Sequence, residues 1–230
     1  MKTILKKLFP DLIAFRNRLI NQWQHKHFRN QSIDQVFQTI YRVNHWRDQE
    51  SISGPGSTIN ITSELRARLP DLIKKYGVSF FLDIPCGDFN WMREINFGVM
   101  KYKGIDIVKE LVEINQASFA RENRSFEYGD ITSSTLPQSD LIFCRDCFVH
   151  LSYHDIEKAI SNIKRSGSRF ILTTTFHRKS NHDITTGNWR PVNLCAKPFN
   201  WPQPIEMIVE DVHGDNSAKS MGLWRVIDLP

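Results

Sequence analysis

From Val78 onward, short apolar runs alternate with stretches whose apolar residues recur every three or four positions. "VSFFLDI", "YKGIDIV", "SFEYGDI", "SDLIFCRD" and "RFILTTTF" have the length and β-branched or aromatic content of buried strands. Between them, "KELVEINQASFARE" and "SYHDIEKAISNIKRSG" carry the helical period, the first with Leu111, Ile114 and Phe119 inward, and "FNWMREINF" reads as helix-like. Strand and helix in alternation argue for a parallel sheet with helices on both faces. The last part breaks the alternation: "PIEMIVED" and "GLWRVIDL" flank a polar loop and predict a closing antiparallel pair. Upstream, "NQSIDQVFQTIYRV" predicts a helix with Ser32 as N-cap and Gln35 closing a capping box. Its Ile33, Val36, Phe37, Ile40 and Tyr41 form one apolar stripe. "SELRARLPDLIKKYG" predicts another, kinked or restarted at Pro70. Leu5, Leu8, Phe9, Leu12, Ile13 and Phe15 give the first residues helical spacing, interrupted at Pro10.

An open parallel sheet binds its ligand at the carboxyl ends of its strands. Those ends carry Asp83 with Gly87 beyond it, then Asp106, then Asp130, then Arg145 and Asp146. A carboxylate ending the second strand suits a ribose diol, because it accepts from both hydroxyls. A dinucleotide would also need three glycines to cradle its pyrophosphate. Here Pro85, Gly87 and Phe89 occupy that pattern, Pro85 lacks an N–H, and Asp83 and Asp88 would repel phosphate. The ligand expected is therefore a nucleoside without phosphate that tolerates acidic surroundings. S-adenosylmethionine, an adenosine carrying a sulfonium and an ammonium, meets both conditions.

"FLDIPCGDFNWM", "YKGIDIV", "FEYGDIT" and "LIFCRDCFVHLS" resemble, in order and spacing, the successive motifs of class I S-adenosylmethionine-dependent methyltransferases. The resemblance implies an α/β fold with a Rossmann-like, seven-stranded, mostly parallel sheet, a C-terminal antiparallel hairpin and an N-terminal helical extension. It implies that Asp83 and Gly87 border the methionine part, that Asp106 holds the ribose, and that Asp130 and Ile131 meet the adenine. Pro85, Ile107 and Arg145 stand beside these and complete the candidate cofactor set. Gly54 and Ser57 of "SGPGST" either reach the cofactor's carboxylate or form an ordinary turn. The division expected is a helical arm and lid over residues 1–60 and a methyltransferase domain over 61–230.

"WRDQESISGPGS", "CRDCFVHLS" and "TTTFHRKSNHDITTGNWRPVNLCAKPFNWPQP" are similar to small free-standing sugar O-methyltransferases found beside polysaccharide-building enzymes. That likeness implies a glycan or nucleotide-sugar acceptor. A sugar hydroxyl is a poor nucleophile and needs a base within hydrogen-bond reach. His150 is expected as that base and Asp146 as its orienter or co-base. The competing expectation pairs Asp146 with Arg145 and makes His150 a helix cap. Segment 177–203 lacks clear periodicity and reads as a substrate lid. Its His177, Asn181, Arg190 and Trp201, together with Trp46 from upstream, are the candidate acceptor residues, with Trp189 or Trp201 expected to be a core plug instead. "HRKSNHD" holds a single acid, too few oxygen ligands for magnesium, so no metal is expected.

Composition narrows the partners. At 230 residues and 40% hydrophobic content the chain can bury a full core. The net charge is +5, but residues 1–47 hold nine Lys/Arg against Asp11 and Asp34, so the arm carries +7 and the rest −2. A body without a basic face argues against a nucleic-acid partner. The arm's Lys and Arg suit instead a peripheral contact with anionic lipid, or simple packing on the body. Cys86, Cys144, Cys147 and Cys195 show no framework spacing and read as reduced thiols. No signal-peptide core or membrane-spanning run is visible, so the expected location is the cytoplasm, with the inner membrane face as an option. Methylation of a small-molecule or protein nitrogen, methylation of RNA, and ligand binding without catalysis are the rival functions. Oligomeric state is not legible.

Overall fold

The structure is a computed structural model that describes residues 28–210 and 219–230. Seven strands form one sheet: β1 (Phe80–Asp83), β2 (Lys101–Asp106), β3 (Arg124–Tyr128), β4 (Leu141–Cys144), β5 (Phe170–Phe176), β6 (Glu206–Val209) and β7 (Lys219–Arg225). Their spatial order is β3-β2-β1-β4-β5-β7-β6. The first five pair in parallel, and β7 runs antiparallel between β5 and β6. The chain reverses its direction of travel between β1 and β4, which opens the ligand crevice above their carboxyl ends.

β4 and β5 are buried along their whole length, as their unbroken apolar sequences require. One side of the sheet packs with α2 (Ser63–Lys75), through Leu65, Leu69 and Leu72 against Phe81, Phe143 and Leu172. The other packs with α4 (Tyr153–Arg165), through Ile156, Ala159 and Ile163 against Ile142 and Ile171. α1 (Ile33–Arg42) lies outside these layers, over the crevice, and α3 (Lys109–Phe119) follows β2.

The predicted capping box of α1 is present: Gln35 N–H donates to Ser32 Oγ, and Ser32 N–H to Gln35 Oε1 at 3.1 Å. Three expectations are corrected. α2 does not restart at Pro70 but runs through it as one helix; Pro70 is exposed, where the carbonyl it leaves unpaired can be hydrated. "FNWMREINF" forms only one 3-10 turn, Met92–Glu94, because Phe89 takes φ +56° to enter an aromatic cluster with Tyr102 and Phe126. Leu111 is buried as expected, but Ile114 faces outward, and α3 buries Val112 and Asn115 in its place. β7 also begins three residues earlier than "GLWRVIDL". The helical spacing from Leu5 to Phe15 lies outside the described residues. No helix among the described residues is long and apolar enough to cross a membrane.

Candidate active site

The loop leaving β1 is held between its neighbours. Ile84 N–H donates to Phe143 O of β4, and Cys86 N–H to Ile105 O of β2. Gly87 has φ +57°, and a Cβ there would overlap Ser53 Oγ, so both backbone angle and space demand glycine. Its N–H donates to Asp106 Oδ2 at 2.8 Å, while its carbonyl accepts from Asn115 Nδ2 at 2.7 Å. Asp106 Oδ1 accepts from Val108 N–H at 2.9 Å. Backbone donors thus fix both oxygens of this buried carboxylate, which lines the crevice.

Asp88 brings the upstream loop to the same place. Its Oδ2 accepts from Ser51 Oγ and from Ile52 N–H, and its own N–H donates to Ser53 Oγ. Asn90 Nδ2 then holds Ser57 O. Spacing alone shows Asp88 only as a loop carboxylate that could cap a helix; the loop it ties is 36 positions away.

The resulting cleft has about 1100 Å³ of empty space, its open mouth included. Its floor holds Asp83, Pro85, Gly87, Asp106, Ile107, Asp130 and Ile131; its roof is Ile33, Phe37, Ile40 and Tyr41 of α1 together with Trp46. Ser57, Arg145, Asp146 and His150 complete the wall. Asp130 is also engaged in its own turn, accepting from Thr132 N–H and Oγ1 and from Ser133 Oγ.

The ionisable groups fall into two sets. Burial pushes Asp83 up to about 8, against the Tyr102 hydroxyl that donates to it at 2.6 Å. Burial likewise raises Asp106 to about 6, against its backbone donors. Asp146, in contrast, is drawn down to about 2: burial opposes this, but Lys219 at 2.5 Å and Arg145 at 3.2 Å outweigh it. Arg145 is itself held by Glu210, through Nε at 2.9 Å and Nη2 at 2.6 Å, and donates to Gly56 O. The guanidinium on the pocket wall is therefore already neutralised, and among the described lining residues no other Lys or Arg is left to receive a phosphate. Two desolvated carboxyls and apolar walls fit a nucleoside that carries positive charge, the adenosyl sulfonium with its ammonium.

His150 does not contact Asp146 through a hydrogen bond. It ends a 3-10 turn, Phe148–His150, and its Nδ1 lies 3.0 Å from Asn188 O. A carbonyl can only accept, so Nδ1 carries the proton and the neutral ring keeps its lone pair on Nε2. Burial lowers the pKa of His150. The Trp46 ring leans on it with centroids 5.3 Å apart. The expected orienter is thus replaced: Asn188 O aims the imidazole, and Asp146 is consumed by its ion pairs, Arg145 among them. The helix cap falls to Ser152, which accepts from Asp155 N–H.

Several expected acceptor residues lie away from the cleft. Asn181 binds Asn193 and Lys197 backbone atoms and staples segment 177–203 to itself. Trp201 is 3% exposed and packs edge-on against Trp224 and Phe148, the core plug of the tryptophan pair; Trp189 is exposed. Arg190 is buried among carbonyls of the His150 turn. His177 is exposed and does not line the cleft. Gly54 does not line it either; with φ +97° it lies under the Trp46 side chain. Among the described residues no three His, Cys, Asp or Glu side chains gather as a metal set, and Asp183 accepts from Tyr153 N–H at the start of α4. Lys219 and Glu210, absent from the sequence reading, sit 73 and 64 positions beyond Asp146, and no local pattern could have joined them.

Residues 81–167 match a protein family described as a methyltransferase domain. No curated protein sequence matches the chain. Among solved structures, it is similar to an S-adenosylmethionine-dependent methyltransferase from Leishmania major, with TM-score 0.62 and 12% identity over 87% of this chain and 89% of that one. It is also similar to the N-methyltransferase NodS from Bradyrhizobium japonicum WM9, with TM-score 0.55 and 16% identity over 72% and 96%. The methyltransferase domain of bacterial CtHen1 gives TM-score 0.54 and 11% identity over 73% and 100%. At these identities the likeness is one of fold. Sheet order, family match and pocket chemistry together define the class: the chain is an S-adenosylmethionine-dependent methyltransferase.

Proposed function

We propose that this enzyme methylates a hydroxyl of a sugar, in a surface glycan or in a nucleotide-sugar or other precursor of one. The observation that carries the proposal is His150, a half-buried imidazole on the cleft wall whose Nδ1 is committed to Asn188 O. An un-ionised hydroxyl needs proton removal as it attacks, and a neutral Nε2 supplies it. Asp83, Gly87, Asp106, Ile107, Asp130 and Ile131 would hold S-adenosylmethionine, which when bound supplies an electrophilic methyl group. The chain's part is to fix the acceptor oxygen in line with that carbon, and positioning of this kind supplies much of the rate.

In this reading His150 takes the acceptor's proton at Nε2. Asp146, kept ionised by Lys219 and Arg145, is neither co-base nor orienter; its charge favours the imidazolium as it forms. Trp46 and Tyr41 offer aromatic faces against which a sugar ring can lie. The likeness of three segments to sugar O-methyltransferases supports the acceptor class. The basic arm adds a place of work, the surface of an anionic membrane, where a lipid-carried glycan would be met.

Incubation with labelled S-adenosylmethionine and a panel of glycans, nucleotide sugars and amines tests the acceptor. With the sugar that takes label, His150→Ala is expected to lower kcat by about 10²–10⁴-fold while calorimetric cofactor affinity stays unchanged. Label appearing only on amines, with His150→Ala at full rate, would sink the proposal.

A further inference from the structure

The turn that bears His150 is held from one side by a single segment. Four successive carbonyls, Phe148 to Leu151, all accept from residues 187–190. Arg190 Nη1 donates to Phe148 O at 2.6 Å and Nη2 to Leu151 O at 2.8 Å. Arg190 N–H donates to Val149 O at 3.0 Å, and Gly187 N–H to His150 O at 2.8 Å. In return, His150 Nδ1 donates to Asn188 O of the same segment.

Arg190 is 1% exposed, and among the described residues no carboxylate lies within ion-pair distance of it. Its remaining contacts are His182 O, from Nε at 3.1 Å, and the Tyr153 ring at 5.6 Å. A buried guanidinium whose hydrogen bonds all go to carbonyls, with Asp183 acting on it only from beyond ion-pair distance, is costly, and a hydrophobic side chain of similar volume would fill the space more cheaply. What the arginine does and a hydrophobe could not is grip two carbonyls flanking the histidine at once, with a planar fork.

We propose that Arg190 is a positioning residue, which sets the backbone of the His150 turn and through it the aim and the tautomer of the imidazole. The inference rests on the reading of His150 as the base. Electrostatics agree with it. The ionisable groups around the imidazole are Asp146 from the end of β4, His45 from the loop after α1, and Arg190 from segment 177–203. Burial lowers the histidine most; the bond to Asn188 O and the charge of Asp146 raise it, and Arg190 and His45 lower it further. Arg190 therefore helps keep the ring unprotonated near neutral pH.

The test uses the full chain with Arg190→Met, read by ¹⁵N-imidazole NMR of His150 and by the pH profile of kcat. In the unaltered protein His150 should show a neutral Nδ1–H tautomer at pH 7. In Arg190→Met the tautomers should mix, and the imidazole titration and the acid limb of kcat should shift together. At the optimum, kcat should fall about 10–100-fold with KM for the cofactor unchanged. Should Arg190→Met not fold, Arg190→Lys, which keeps the charge but loses the fork, is read the same way: mixed tautomers with a smaller shift of the acid limb. A folded variant whose His150 tautomer and titration match the unaltered protein overturns the proposal, whatever its turnover. Full activity of His150→Ala would instead remove the base reading, a result the imidazole spectrum distinguishes because it involves no methyl transfer.

Discussion

Asp83 and Asp106 occupy equivalent strand ends, yet neither behaves as the free carboxylate its sequence position suggests. Burial leaves them at about 8 and about 6 in the free protein, while Asp146, facing two cations, lies at about 2. A cationic ligand favours their ionised forms, so binding must expel protons wherever they are partly protonated. Cofactor affinity is therefore expected to tighten as pH rises from 6 towards 8. Calorimetry in buffers of differing ionisation enthalpy should register net proton release, and a pH-independent affinity without release would contradict the assignment. The sign for stability is opposite. Carboxyls whose folded pKa is raised stabilise the fold below their unfolded pKa of about 4, and this contribution is lost as pH climbs from there to about 6 for Asp106 and about 8 for Asp83. The free enzyme should thus soften across that window, and cofactor should restore most of the loss. The strand-end positions of these acids were legible in the chain. The protonation of each was not, because it follows from desolvation and from partners brought in by other strands.

At the scale of elements, α1 was read from its stripe and its capping box, and both are present. The stripe gave no sign of what it covers. Ile33, Phe37, Ile40 and Tyr41 roof the cleft, and Gln38 Nε2 donates to Ile107 O at 3.2 Å, tying the helix to the loop after β2. The roof is therefore only as firm as the helix. Ser32→Ala removes the N-cap, a loss of about 1 kcal/mol of helix stability. Cofactor affinity by calorimetry should fall about fivefold, the equivalent of that energy, while the melting of the sheet core barely moves. An unchanged affinity would mean that α1 does not close over the bound nucleoside. Segment 177–203 makes the complementary case. Its length and lack of period marked it as functional, but its expected substrate contacts, Asn181, Arg190 and Trp201, are internal struts. A polar residue inside a loop looks alike in sequence whether it faces a ligand or a backbone carbonyl.

For the whole molecule, charge and topology divide the work. The arm's +7 against −2 elsewhere is a property of sequence alone, and it underlies the membrane proposal. Liposomes rich in anionic lipid should co-sediment the full chain and lose it at high salt or on deletion of residues 1–27. Retention after deletion would place any lipid contact on the body instead. The parallel sheet with a closing antiparallel pair was legible from the alternation, which leaves few right-handed solutions; the seven-stranded arrangement was implied by the family resemblance. The cleft needed the tertiary structure, because it is closed by contacts that span the chain: Asp88 to Ile52, Arg145 to Glu210, Asp146 to Lys219. By itself the sequence determined the parallel sheet, the acids along its rim and the nucleoside without phosphate, since strand period, glycine count and side-chain charge are local quantities. Only the fold decided which of those acids are ionised, that Asn188 rather than Asp146 faces the histidine, and that Arg190 braces it. Burial, and pairing across spans from 19 to 73 positions, are set by where distant elements pack, and no spacing along the chain encodes them.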